Sequence, residues 1–343
     1  MRLAYLPVIA AFSFMVQTAQ AFEVEEHYVH RGLGDEVLRI ISTADAAAFN
    51  PIITAFQQQY PSVTVDYTIA SSAQVFHALY NEGAVFDLAI SSAMDLQTKL
   101  ANDGFVLTYE SEVTETLPSW AKWRDQLFAF TQEPAVMVVS EDDFVDRRIP
   151  MSREELITML RENPETFDGR IGTYDVRISG AGYLFATQDS RNTDSYWRLT
   201  EVMGRLNARL YSGSQGMIKD VAEGRLALAY NVVGSYAKSQ LATTPGIRIV
   251  EFDDYLSVML RTALIPKTAE NVARAGDMID FLSRLNERED VIAQTNLPPI
   301  NALELENNSA SRVIRLGPGL LVFLDRMKKE TFLRSWENSM EQK

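Results

Sequence analysis

No cysteine occurs in the 343 residues, which excludes disulfides, thiolate nucleophiles and cysteine metal sites together. Histidine is scarce too, with only His27, His30 and His77 present, and the H-E-x-x-H zinc motif is missing. His27 and His30 share a polar segment in which no carboxylate partner can be placed. His77 stands beside Phe76 and Leu79 in a helical pattern that packing explains. No metal and no cofactor is therefore expected. Positive charge is also in deficit: 32 Lys and Arg face 46 Asp and Glu, a net charge of −14 that makes nucleic acid an unfit partner. G-x-S-x-G, a P-loop and a Rossmann glycine fingerprint are all absent.

Long apolar runs are lacking as well. The longest, Leu3–Val16, is too short for a hydrocarbon span, which needs roughly twenty residues. It follows the basic Met1-Arg2 and ends near Ala19-Gln20-Ala21, the layout of a secretory signal peptide with an A-x-A cleavage site. Residues 1–21 are thus expected to be removed on export to the periplasm, and losing Arg2 takes the mature charge to −15. The mature chain, without staples, must bury a sizeable core. The whole chain is 46% apolar, ample for that, and the mature length favours two lobes over one.

After a polar arm at 22–36, the pattern turns regular. Val37–Ile41 reads as a strand ending at Ser42-Thr43-Ala44-Asp45, and Phe49, Ile52, Ile53, Phe56 and Tyr60 then mark one face of a helix. Ser42–Asp45 is the capping cluster ahead of that helix, and Pro51 is tolerable only near its first turn. Two more cycles follow: Val63–Tyr67 into Ser71-Ser72 and the helix of Val75, Phe76 and Leu79, then Phe86–Ile90 into Ser91-Ser92 and the helix of Leu96 and Leu100. Three such units predict a parallel sheet with helices on its faces.

Ala135–Val139 reads as a buried strand leaving this lobe. Beyond it, Ser152 and Glu155 have capping-box spacing, and Gly169–Tyr174 is a strand running into Ser179-Gly180-Ala181-Gly182. The strand ending at Tyr230 leads to Asn231-Val232-Val233-Gly234-Ser235-Tyr236. Strand character returns at Val258, so the expected division is 37–140 plus 258–343 for one lobe and 141–257 for the other. The crossings near Ser140 and Ser257 would make a two-stranded hinge.

On these residues the chain resembles a known family. Ala55-Phe56, Tyr60-Pro61-x-Val63-x-Val65 and the strand at Asp87 are similar to the first lobe of class II periplasmic binding proteins, in the branch of ferric-ion, organophosphate and phosphonate receptors. Ser91 to Gly104 and Gly180 to Ser190 resemble a subgroup often encoded beside a two-component sensor kinase. The resemblance implies an α/β Venus flytrap, a monomer, that closes on a small ligand and passes it to an ABC permease or to a sensor kinase.

Ligand groups are expected at strand ends, where open α/β sheets place their crevice. The candidates are Ser42, Ser71, Ser72, Ser91 and Ser92 in one lobe, and Arg177, Ser179, Gly180, Gly182, Asn231, Ser235 and Tyr236 in the other. Hydroxyls and exposed amides at helix N-termini suit phosphate, phosphonate or carboxylate. Ferric receptors of the branch use paired tyrosines near such a position, whereas Tyr236 stands here beside Ser235, so an organic anion is preferred to iron. Ser235-Tyr236-Ala237-Lys238 matches S-x-x-K of acyl-transfer enzymes, but Lys267-Thr268-Ala269 replaces their Lys-Thr-Gly, and no enzyme activity is expected.

Overall fold

The computed structural model describes residues 22–241 and 244–342. The expected leader, 1–21, lies outside the described residues, as does Lys343. Among the described residues no helix is long and apolar enough to cross a membrane.

Twelve strands form a mixed sheet: β1 Glu26–His30, β2 Glu36–Ser42, β3 Val63–Ile69, β4 Leu88–Ser91, β5 Lys122–Trp123, β6 Leu127–Ser140, β7 Ile171–Tyr174, β8 Arg209–Tyr211, β9 Leu228–Val233, β10 Ile247–Val250, β11 Leu256–Leu264 and β12 Ser311–Val313. The order is β1-β3-β2-β4-β11-β6-β9-β7-β8, with β5 and β10 on β6 and β12 on β11. The expected βα cycles are present: β2 lies parallel between β3 and β4, and β7 lies parallel between β8 and β9. The sheet is therefore two α/β lobes joined through long central strands.

The joint is legible in β6. Its residues 128–134 pair antiparallel with β11, while Ala135–Ser140 pair with β9 and β10. Pro134 stands at the handover, where a missing N–H is least damaging because the ladder changes partner. The strand thus changes lobe at Pro134, ahead of the expected crossing near Ser140.

Helix Ala46–Gln59 buries Phe49, Ile52, Ile53 and Phe56 completely against β3 and helix Val272–Ser283. Burial of each such side chain stabilises the fold by about 1.5–3 kcal/mol. The helix starts directly after the expected capping cluster, with Asp45 at the N-cap position, so Pro51 lies in its second turn; the carbonyl left without a donor belongs to Ala47, which is exposed to water. Residues 22–36 are less of an arm than expected, because β1 pairs antiparallel with β3 and Phe22 packs edge-on against Phe86.

The second lobe has its own core, into which helix Arg326–Met340 inserts Phe332, Trp336 and Met340. That helix was expected with the first lobe. Gly204 explains the docking: a Cβ there would fall 2.2 Å from the Ser339 carbonyl oxygen, so glycine admits the helix end. The preceding turn, Pro318–Leu324, packs on helix Met94–Asn102 of the first lobe, so the C-terminal segment crosses between lobes as well. Helix Arg153–Glu162 is capped at Ser152, whose hydroxyl accepts the Glu155 amide at 3.2 Å. The Glu155 carboxylate reaches instead to the Met151 amide at 2.8 Å, so the box closes one residue earlier than its spacing implied.

Candidate functional site

Helix N-termini from both lobes open on one cleft of about 410 Å³ between them. From the first lobe come Thr43 and Asp45 at the start of helix Ala46–Gln59, Ser71 and Ser72 at helix Ser72–Tyr80, and Ser92 just before helix Met94–Asn102. From the second come Ser179, Gly180 and Ala181 at helix Gly180–Asn192, Gly213 to Gly216 at helix Ser214–Ala222, and Tyr236 in helix Gly234–Leu241. First-turn amides have no acceptor within their own helix and carry the positive end of its dipole.

Local hydrogen bonding sorts the predicted serines. Ser71 Oγ accepts the Gln74 amide at 3.3 Å and Ser179 Oγ the Gly182 amide at 3.2 Å, so both cap their helices at the cleft wall. Ser72, Ser92 and Gly180 also line the cleft. Ser42 and Ser91 do not: each is buried, and each hydroxyl accepts an amide two residues on, from Ala44 at 3.0 Å and Ala93 at 3.1 Å. Their work is to fold the strand-to-helix turn, as Asx/ST-type residues do.

Four of the second-lobe candidates fall outside the cleft. Arg177 makes a bidentate pair with Asp175, at 2.8 Å from both Nε and Nη2, and its Nη1 donates to Glu341 at 2.6 Å. Gly182 is packed under Tyr174. Asn231, in the left-handed region at φ 61°, donates from Nδ2 to buried Asp189 at 2.7 Å. Ser235 is buried and donates from Oγ to Glu133, which leaves the S-x-x-K hydroxyl bonded to a carboxylate. Tyr236 does line the cleft, its phenol donating to the Thr43 carbonyl at 3.4 Å across the lobes.

Several cleft residues escaped the sequence reading. Arg261, 1% exposed, reaches the cleft from β11; its Nε and Nη2 donate to the two oxygens of Glu133 at 3.0 and 3.2 Å, and Nη1 to Thr43 Oγ1 at 3.3 Å. Burial alone would lower the guanidinium pKa, but Glu133, with Tyr236 and Tyr67 near, holds it above its ordinary value. A lone arginine in the apolar run Val258–Ile265 was the available signal, since buried charges are kept for a partner or a purpose. Tyr211-Ser212-Gly213-Ser214-Gln215-Gly216 was missed because β8, which leads into it, has only three residues and shows no period.

Three tyrosines line the cleft, and all are neutral near pH 7. Burial raises Tyr174, whose hydroxyl lies 2.6 Å from Ser214 Oγ. Burial pushes Tyr236 up to about 12; burial and then Asp220, which accepts the Tyr211 proton at 2.6 Å, push Tyr211 up to about 12. Two carboxylates complete the lining. Asp45 is raised by burial, against the pull of Arg261, and its Oδ2 accepts from Gln215 Nε2 at 2.6 Å, a bond from one lobe to the other. Glu25 at the rim is raised by burial and by Asp45.

A two-lobed α/β molecule with a polar cleft at the strand ends of both lobes is the architecture of a solute receptor. Residues 38–289 match the family described as bacterial extracellular solute-binding protein, and the chain belongs to that family. Among solved structures it is similar to the substrate binding protein of the ABC transporter from Agrobacterium tumefaciens, at 29% identity over 92% of this chain and 98% of that one, with a TM-score of 0.86. AfuA from Actinobacillus pleuropneumoniae, a periplasmic binding protein with exogenous fructose-6-phosphate bound, shares the fold at 14% identity (90% and 100% covered, TM-score 0.70). Iron-bound HitA from Pseudomonas aeruginosa shares it at 16% identity (89% and 99% covered, TM-score 0.65). No curated protein is significantly similar. The resemblance to class II periplasmic binding proteins is thus borne out in family and fold.

Proposed function

We propose that this protein captures a small organic anion outside the cytoplasm and delivers it to an ABC importer. The observation that carries this reading is the convergence of the Ser72, Gly180 and Ser214 helix N-termini, from opposite lobes, on one cleft with neutral hydroxyl donors. Such termini hold phosphate or carboxylate through amides and dipole. A cleft of about 410 Å³ suits a metabolite-sized ligand. The kinship with an ABC transporter's substrate binding protein supports delivery to an importer, and the fold shared with a sugar-phosphate-bound receptor supports an anionic ligand.

Iron fits less well. The three cleft phenols are protonated and hydrogen-bonded to other groups. Among the described residues no group of three or more His, Cys, Asp or Glu could hold a metal ion.

The lobes close about β6 at Pro134 and about β11 near Leu256, and the ligand's contacts with both halves hold the closed form. Native mass spectrometry of the protein purified from the periplasmic fraction tests this reading. Retention of an organic anion is expected, and a stoichiometric iron adduct would overturn it. Solution scattering should show a smaller radius of gyration when ligand is added to protein stripped of it.

A further inference from the structure

We infer that the ligand is zwitterionic, its anionic group lying at the helix N-termini and a protonated amine at Asp45 and Glu25. The inference rests on the anion reading above and narrows it. Three charged side chains line the cleft: Glu25, Asp45 and Arg261. Arg261 gives two of its N–H groups to Glu133, a carboxylate with no exposed surface, so its charge is already compensated. Glu25 and Asp45 have no such bonded cation: among the described residues neither carboxylate is in an ion pair, and Arg261, held by Glu133, acts on Asp45 only from beyond ion-pair distance. A simple dianion would enter against that field, whereas a ligand that brings its own cation would relieve it.

The placement of Asp45 gives the second observation. It occupies the N-cap position of helix Ala46–Gln59, where an aspartate ordinarily accepts an amide of the first turn, yet its side chain makes no cap bond. The carboxylate turns to the cleft, where Oδ2 takes Gln215, and among the described residues no donor reaches Oδ1. The Glu25 carboxylate also accepts no hydrogen bond among the described residues, although its backbone amide is tied to Ile69 at 2.9 Å. Two carboxylates with open acceptor sites, in a cleft that amide-rich helix ends of both lobes also line, match a ligand that carries an ammonium as well as an oxyanion.

Three phosphate monoesters of matched length separate the possibilities: phosphoethanolamine, ethylene glycol monophosphate and ethyl phosphate, titrated calorimetrically at pH 7.5 into protein refolded to remove bound ligand. The amine is expected to bind at least tenfold more tightly than either neutral-tailed ester. In Asp45→Asn, which keeps an acceptor for Gln215, that advantage should shrink about tenfold while ethyl phosphate binds as well as before or better. Equal affinities for the three esters, a preference for the hydroxyl tail, or an amine preference untouched by Asp45→Asn would overturn the inference and leave the anion reading standing. Failure of all three to bind a folded protein would also overturn the inference, and native mass spectrometry that found no organic anion either would sink the anion reading itself.

Discussion

Gly180 of the second lobe lies directly against Ser72 of the first: a Cβ built on Gly180 would fall 2.2 Å from Ser72 Oγ and 3.2 Å from Ala93 Cβ. Both helices feed one buried cluster, with Val75, Ala78 and Leu79 from the first and Leu184 and Phe185 from the second, so the contact lies on the seam where the two lobes pack together. The Gln215–Asp45 hydrogen bond at 2.6 Å spans the same gap. Together they describe a closed form in which glycine is required by proximity, since Gly180 is not among the glycines of positive φ.

Gly180→Ala should therefore weaken ligand binding by tenfold or more and leave the melting temperature of the ligand-free protein within about two degrees of wild type. Residue 180 opens its helix, where alanine is well tolerated in the open form. Calorimetry and a thermal melt check the two halves. Unchanged affinity would mean that the closed contact is not needed for binding.

Arg177→Ala is expected to leave affinity unchanged, because the guanidinium is engaged by Asp175 and Glu341 outside the cleft. Its effect should be a loss of about 1 kcal/mol or less, typical of a partly exposed pair, read as faster hydrogen exchange in helix Arg326–Met340. Gly182→Val behaves differently, since even a Cβ there would meet Tyr174 Cβ at 2.3 Å, and it should impair folding. An Arg177→Ala protein that folds normally but no longer binds would return Arg177 to the site.

Repeated local signals made much of this molecule legible in its sequence. Each cycle of the first lobe couples an apolar strand to an amphipathic helix through a serine-bearing turn, and the fold follows from repeating that unit. What periodicity cannot show is which way a turn faces: Ser42 and Ser71 look alike in sequence, yet one hydroxyl folds its own turn while the other caps a helix at the cleft. Long-range partners were equally hidden. Arg177 and Glu341 are far apart in the chain, and only the docking of the last helix on Gly204 brings them together.

Asp95 predicts a specific pH dependence. It is buried in the first turn of helix Met94–Asn102, where its Oδ1 accepts the Leu96 amide at 2.9 Å, and burial raises its pKa to about 6 despite Lys329 nearby. An acid raised on folding binds more protons in the native state, so its contribution is most favourable below about pH 4 and declines until about pH 6. Asp95→Asn removes that decline. Urea denaturation at pH 4, 5, 6 and 7.5 should show the variant gaining on wild type across this window, by up to about 3 kcal/mol at the top. Carboxylates held low by arginine or lysine, such as Asp103 and Asp175, drive the opposite trend in both proteins and cancel in the difference. A constant difference at every pH would mean that Asp95 does not titrate with folding.

The pair of Arg261 and Glu133 is the costliest place to cut. Glu133 also accepts from Thr131 Oγ1 at 2.9 Å and from Ser235 Oγ, so the carboxylate is held by β11, by its own strand and by the second lobe's Gly234 helix. Arg261→Met leaves that carboxylate buried without its cation and should destabilise the protein by about 3–5 kcal/mol. Glu133→Gln keeps the hydrogen-bond acceptor for Ser235 and removes the charge, so the double variant Glu133→Gln with Arg261→Met should lose less than the sum of the two single variants, by about 2 kcal/mol. Urea midpoints for the four proteins give that coupling directly. Additive losses would show that the guanidinium and carboxylate act independently, and Arg261 would then be available to bind the ligand as a full charge.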